Sequence, residues 1–206
     1  IKKNILKILF QNIQIFLYIG EENRKFYKFY GVPDEKLFFC PYSVHNEKFI
    51  LESKNYKFKK SSSKKKIGIK KDKVVILFAG KLVGKKRPLD LLKAYANIKS
   101  DNKALDFIGD GCSKKNLMKY IKDVYFLGFK NQTEISKYYA MADIFVLPSG
   151  PGETWGLVVN EAMCFGLSII VSNIIGCSND LLRHGTNGYK YETGDVMKLS
   201  EYMEIL

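Results

Sequence analysis

The chain has 206 residues, enough for one domain with a sizeable core and part of a second, and 46% of them are hydrophobic, which excludes a disordered polymer. The formal net charge is +13, but residues 54–73 hold ten lysines and one aspartate, so that one segment carries +9 and leaves +4 for the rest. No phosphate-tracking face is spread along the chain, and nucleic acid is not an expected partner.

The opening stretch, I-K-K-N-I-L-K-I-L-F-Q-N-I-Q-I-F-L-Y-I-G, is interrupted by Lys7, Asn12 and Gln14. It falls short of the roughly 18 apolar residues of a membrane span and has no small-residue cleavage site. It starts within what reads as an element, so the chain is expected to be a piece of something larger. Residues 15–19 read as a strand, 21–30 as a helix and 36–41 as a strand. These cannot close a domain alone, and residues 1–53 are expected to be the tail of a preceding α/β domain. The lysine-rich run at 54–73 reads either as a solvated linker or as a segment that touches an anionic membrane surface, worth up to about 1 kcal/mol per charge.

From residue 74 the pattern alternates. Apolar runs at 74–79, 104–108, 124–127, 144–147 and 169–171 read as buried strands. Helical patterns fall near 88–99, 113–121, 133–141, 155–166 and 195–206, with Pro88 suited to a first turn and Thr133 to an N-cap. This alternation predicts an α/β fold with a doubly wound parallel sheet over 74–206, which binds ligands beyond the carboxyl ends of its strands. Cys40, Cys112, Cys164 and Cys177 show neither close pairing nor metal-type spacing, and His45 and His184 are the two histidines. A disulfide framework and a Cys/His zinc site are therefore not expected, and a reducing cytosol is the natural setting.

The informative residues fall at strand ends. Gly80 closes the first long strand, and K-L-V-G-K-K-R-P follows, placing Lys81, Lys85, Lys86 and Arg87 above the sheet edge. Position favours Lys81 and Lys86 as cations for a diphosphate, while Lys85 and Arg87 read equally well as solvated. Gly109-Asp110-Gly111 follows the next strand; with Lys114 where a third glycine belongs it fails as a dinucleotide fingerprint, leaving a turn or room for a nucleotide. V-Y-F-L-G-F brings Phe126, Gly128 and Phe129 to the same rim.

The run G-P-G-E-T-W-G-L-V-V-N-E-A-M-C-F-G holds Glu153 and Glu161 around a helix that is expected to begin near Thr154 or Trp155. The first free amides, around Gly156, Leu157 and Val158, attract an anion, and Gly156 lets it approach closely. Glu161, two turns in, stands among Leu157, Val158, Ala162 and Phe165, expected to face the core. A carboxylate there needs donors, which sugar hydroxyls would supply. Two solvated glutamates are the plainer alternative.

These residues resemble the donor-site signature of retaining glycosyltransferases with the GT-B fold, and most nearly the large family four (glycosyl transferases group 1). The two glutamates separated by seven residues carry the likeness. F-A-G-K-L-V-G-K-K-R-P-L-D-L-L-K-A-Y, F-I-G-D-G-C, L-G-F and Y-Y-A-M-A-D-I-F-V-L-P-S match in order and spacing. The resemblance implies a Rossmann-like donor-binding unit at 74–206 behind the tail of an acceptor-side domain at 1–53. It implies a nucleotide-diphosphate sugar as co-substrate, no cofactor and no required metal. Lys81, Lys86 and the amides of 156–158 would hold the diphosphate, and Glu161 the ribose hydroxyls. Glu153 would contact the transferred sugar, with Gly80, Gly109, Gly111, Thr154 and Trp155 around the donor and Phe126 to Phe129 bordering the base. The acceptor would be a glycan or a lipid-linked molecule, and the setting cytoplasmic; the membrane reading of the lysine run at 54–73 would then place the chain at the inner membrane face. Cys112, His45, Gly176-Cys177 and Asp180 depart from the family pattern without touching the diphosphate grip. A nucleotide-sugar 2-epimerase of the same fold, or a non-catalytic polyanion- or membrane-binding module, are the competing expectations.

Overall fold

The computed structural model describes residues 2–113 and 122–206, so part of the helix expected at 113–121 lies outside the described residues. An amino-terminal unit comes first: α1 (Lys2–Gln11), β1 (Phe16–Tyr18), α2 (Glu21–Phe29) and β2 (Leu37–Phe39). β1 and β2 pair in parallel, with Phe16 opposite Leu37 and Tyr18 opposite Phe39. Phe10, Phe16, Phe26, Tyr27 and Tyr30 meet edge-on or tilted and hold the helices to the strands.

Helices α3 (Asn46–Lys57) and α4 (Lys60–Lys66) follow. Most lysines of the 54–73 run are exposed, but the run is more than a solvated linker. It is largely helical, and three of its lysines tie it to the body. Lys60 bonds Asp143 at 2.5 Å, buried Lys64 lies 3.6 Å from the same carboxylate, and Lys73 pairs with Asp123 at 2.6 Å. Charge counting along a sequence treats all lysines as alike; the fold buries the ones that find acceptors. α3 starts at His45, whose ring Nδ1 accepts the Lys48 amide at 3.2 Å. The imidazole thus fills the capping role more often taken by an oxygen-bearing side chain.

The main sheet consists of β3 (Val74–Ala79), β4 (Lys103–Ile108), β5 (Val124–Gly128), β6 (Ile144–Leu147), β7 (Ser168–Ser172) and β8 (Gly188–Tyr191). All are parallel, in the order β5-β4-β3-β6-β7-β8. Helices cover both faces of such a sheet, which is why its central strands read as continuous apolar runs. Val75, Leu77, Phe78, Leu105, Phe107, Phe145 and Val146 are fully buried. The connecting helices are α5 (Pro88–Asn97), α6 (Ile135–Met141), α7 (Leu157–Cys164), α8 (Ser178–Leu181) and α9 (Val196–Ile205). α5 packs against α9, and α3 packs against α6 and α7.

Pro88 opens α5 as expected. Thr133 does not cap α6; the Asn131 carboxamide oxygen accepts from the Thr133 and Glu134 amides and from the Thr133 hydroxyl. β8 and α8, too short for periodicity to register, were not foreseen from sequence. The amino-terminal unit docks through α8: the Asp180 carboxylate accepts the Glu21 amide at 3.1 Å, capping α2 from 159 residues away.

Candidate functional site

The sheet order reverses between β3 and β6, which lie side by side while the chain runs outward from each. A crevice beyond the carboxyl ends of the strands is expected at such a switch point. The loops that leave those ends are laced together. The Gly80 amide donates to the Ile108 carbonyl, the Gly109 amide to Gly128, and Leu82 to Asp110. Gly109 has φ 126°, and a Cβ there would stand 1.9 Å from the Gly80 carbonyl oxygen, so only glycine lets the two loops close up.

After β3, a short turn at Gly84–Lys86 carries Lys86 back over the edge. There its ammonium pairs with the Glu153 carboxylate, both side chains being largely buried. The Gly150 amide donates to the Lys85 carbonyl at 2.7 Å, fastening this loop to the one after β6. Glu153 is also held from below. The fully buried Ser149 hydroxyl donates to it at 3.1 Å, and the Ser172 hydroxyl in turn donates to the Ser149 carbonyl at 2.5 Å. The backbone behind it is clamped by the loop after β7, where Gly176 donates to the Glu153 carbonyl and Cys177 to Trp155. A Cβ on Gly176 would fall 1.8 Å from the Thr154 carbonyl oxygen. Ser149, Ser172 and Gly176 were missed as site residues by sequence reasoning. Their signal was weak, since a serine closing a strand is common.

α7 begins at Leu157, later than expected, with Gly156 as its N-cap at φ 95°. Leu157 and Val158 thus supply amides that the helix itself leaves unpaired. Glu161 lies about one turn in. Its surroundings differ from expectation: Ala162 is fully buried, but Leu157 is 39% exposed. Burial pushes the Glu161 carboxyl up, and the Tyr139 hydroxyl, donating at 2.7 Å, partly offsets this. One of the donors that Glu161 needs is therefore internal.

The other expected residues divide. Lys81 is exposed, directly after Gly80, and Thr154 is exposed beside Glu153. The Trp155 side chain is 5% exposed, its indole N–H bonded to Asn160 at 2.9 Å and its ring meeting Tyr42, so packing rather than a rim contact occupies it. Phe126 stacks on Phe107 at 5.1 Å, on the core side, while Phe129 is 75% exposed past the end of β5. Gly111 sits in the loop after β4, close to the Leu82 carbonyl.

A family model described as "Glycosyl transferases group 1" matches residues 59–206. The chain belongs to that family. Group 1 relatives include the sulfoquinovosyl transferase SQD2 of Arabidopsis thaliana, 34% identical over 61% of this chain and 25% of that protein. The N-acetyl-alpha-D-glucosaminyl L-malate synthase of Bacillus anthracis is 32% identical over 77% of this chain and 42% of its own length. The chain thus spans less than half the length of these relatives. Among solved structures, Anabaena Alr3699/HepE in complex with UDP and glucose has a TM-score of 0.80 at 18% identity, over all of this chain and 57% of that one. That likeness establishes the fold, a Rossmann-like unit of GT-B glycosyltransferases. The family match includes α4, which sequence reading had set outside the sheet domain.

Proposed function

We propose that this group 1 chain is the donor-binding part of a retaining, metal-independent glycosyltransferase. It would move a hexosyl or related unit from a nucleotide-diphosphate sugar to a glycan or lipid-linked acceptor. The carrying observation is the Lys86–Glu153 pair, held by Ser149 at the edge where the sheet order reverses, beside the first amides of α7. A sugar diphosphate offers both partners of that pair something better. Its phosphates take Lys86, Lys81 and the amides, and the sugar hydroxyls take Glu153. Fixed cations that face the leaving diphosphate supply the charge stabilisation that a divalent metal gives elsewhere, which supports metal independence. Glu161, short of donors, takes the ribose hydroxyls. Relatives named as glycosyl transferases and a fold neighbour bound to UDP support a nucleoside-diphosphate donor. Residues 1–53 then belong to the acceptor-side unit and 74–206 to the donor unit. The cysteines are all free, and we assign the chain to the cytosol.

A thermal-shift screen of nucleotide sugars tests this. Ligand at about ten times Kd stabilises by about 1.4 kcal/mol, a rise of roughly 3–5 °C for a chain of this size. Glu161→Ala should remove most of the rise. In the full-length enzyme Lys81→Gln with Lys86→Gln should cost about 10²-fold or more in kcat. No rise with any nucleotide sugar, or an undiminished rise in Glu161→Ala, would refute the donor reading or the Glu161 role respectively.

A further inference from the structure

Helix α4 divides its polar side chains between two faces. Lys60 and Lys64, four apart, turn inward, and both reach Asp143 just ahead of β6. That is toward the amino edge of the sheet, away from the carboxyl edge that carries Glu153. On another face Lys59, Ser62, Ser63 and Lys66 recur at helical spacing and, with Lys137 of α6, line a cavity of about 390 Å³. Aromatic rings wall it: Lys59 lies over Tyr56 at 5.6 Å, and Lys137 over Tyr138 at 5.0 Å. Among the described residues no carboxylate pairs with Lys59, Lys66 or Lys137. The Ser62 hydroxyl donates to the Lys59 carbonyl at 2.8 Å, which leaves three cations and the Ser63 hydroxyl, without an acid, and that set suits a phosphate-type anion.

The residue next to Lys59 gives the second observation. Phe58, in the turn between α3 and α4, is 93% exposed, more than any other large hydrophobic of the described chain. Exposed Lys54, Lys57 and Lys65 surround it in sequence. A bare aromatic ring among uncompensated lysines matches the headgroup boundary of a bilayer, where the ring enters the apolar layer and the ammonium groups stay with phosphates. A nucleic-acid strand fits less well, because residues 54–73 carry +9 of the net +13 and the charge elsewhere on the chain is small, so no basic track continues away from this segment.

We propose that this face of α3, α4 and α6 seats the chain on an anionic bilayer. Phe58 enters the headgroup boundary, and the cavity takes the phosphodiester of an acidic phospholipid. The proposal stands apart from the donor site and does not depend on the reaction.

Co-sedimentation with vesicles tests it, using phosphatidylcholine alone or mixed with phosphatidylglycerol. The chain should bind the mixed vesicles and release them as salt rises. Lys59→Glu with Lys66→Glu should weaken binding by about 30-fold or more, at about fivefold per lysine removed. Lys70→Glu with Lys71→Glu makes the same charge change on exposed lysines outside this face and should weaken binding by less than about threefold. Phe58→Ala, at a fully accessible position that cannot disturb the core, should cost about fivefold or more. The proposal is overturned by equal binding to phosphatidylcholine, by equal losses in the two lysine variants, by undiminished binding of Phe58→Ala, or by tighter binding of single-stranded RNA than of mixed vesicles at the same salt.

Discussion

Asp106, in the middle of β4, carries a pH dependence that can be worked out from its surroundings. The side chain is fully buried, and among the described residues neither carboxylate oxygen has a hydrogen-bond partner. Burial pushes its carboxyl from the ordinary 3.8 to about 7, against a weaker pull from the Lys64 ammonium. Tyr95 and Tyr125 also face it, and both feel its charge. Because the folded value lies above the unfolded one, the native state holds the proton more tightly. Stability is then fully present below about pH 4 and declines as pH rises towards 7. At about 1.4 kcal/mol per pH unit the whole displacement is worth about 4 kcal/mol, of which about 2.5 kcal/mol falls between pH 5 and 8. Asp106→Asn keeps the shape and removes the titration. Urea unfolding of both proteins at pH 5 and pH 8 should show wild type losing about 2.5 kcal/mol more than the variant over that interval. Identical pH slopes would show that Asp106 is not the buried, donor-poor acid described here.

Two other perturbations bear on the site. Gly176→Ala puts a Cβ against the Thr154 carbonyl, so the turn that carries Glu153 must move; unfolding should show a loss of about 2 kcal/mol or more, and nucleotide-sugar affinity should fall with it. Tyr139→Phe removes the donor to Glu161 without changing shape. It should cost about 1.5–3 kcal/mol at neutral pH and raise the Glu161 carboxyl further, so the loss should shrink as pH falls and that carboxyl protonates, which a pH series of urea melts would detect.

Much of the fold was legible because it repeats a local rule. Strands buried on both faces are mostly apolar, so β3 and β6 stood out as unbroken runs, and β4 and β7 as runs interrupted only by Asp106 and by serines at the ends of β7 and Lys103 at the start of β4. Helices α5 to α7 and α9 carried an apolar period, and of the expected residues Lys86 and Glu153 meet at the carboxyl edge of the sheet while Phe126 and Trp155 pack inward. Short elements escaped notice: β8 and α8 have four residues each, too few for a period. The helix expected near Thr154 or Trp155 begins two or three residues later, where Gly156 has the left-handed backbone that precedes α7.

The sequence by itself determined the alternation of strands and helices, the glycine-rich rim and the family signature, all of which depend on residues near one another in the chain. Tertiary structure alone decided which charges meet. Lys86 finds Glu153 across 67 residues because the sheet order reverses between β3 and β6. Asp180 caps α2, and three lysines of a seemingly solvated run turn inward to carbonyls and aspartates. A charge in a sequence has no address until topology gives it neighbours, and burial then fixes whether it is a solvated group, an anchor or a site.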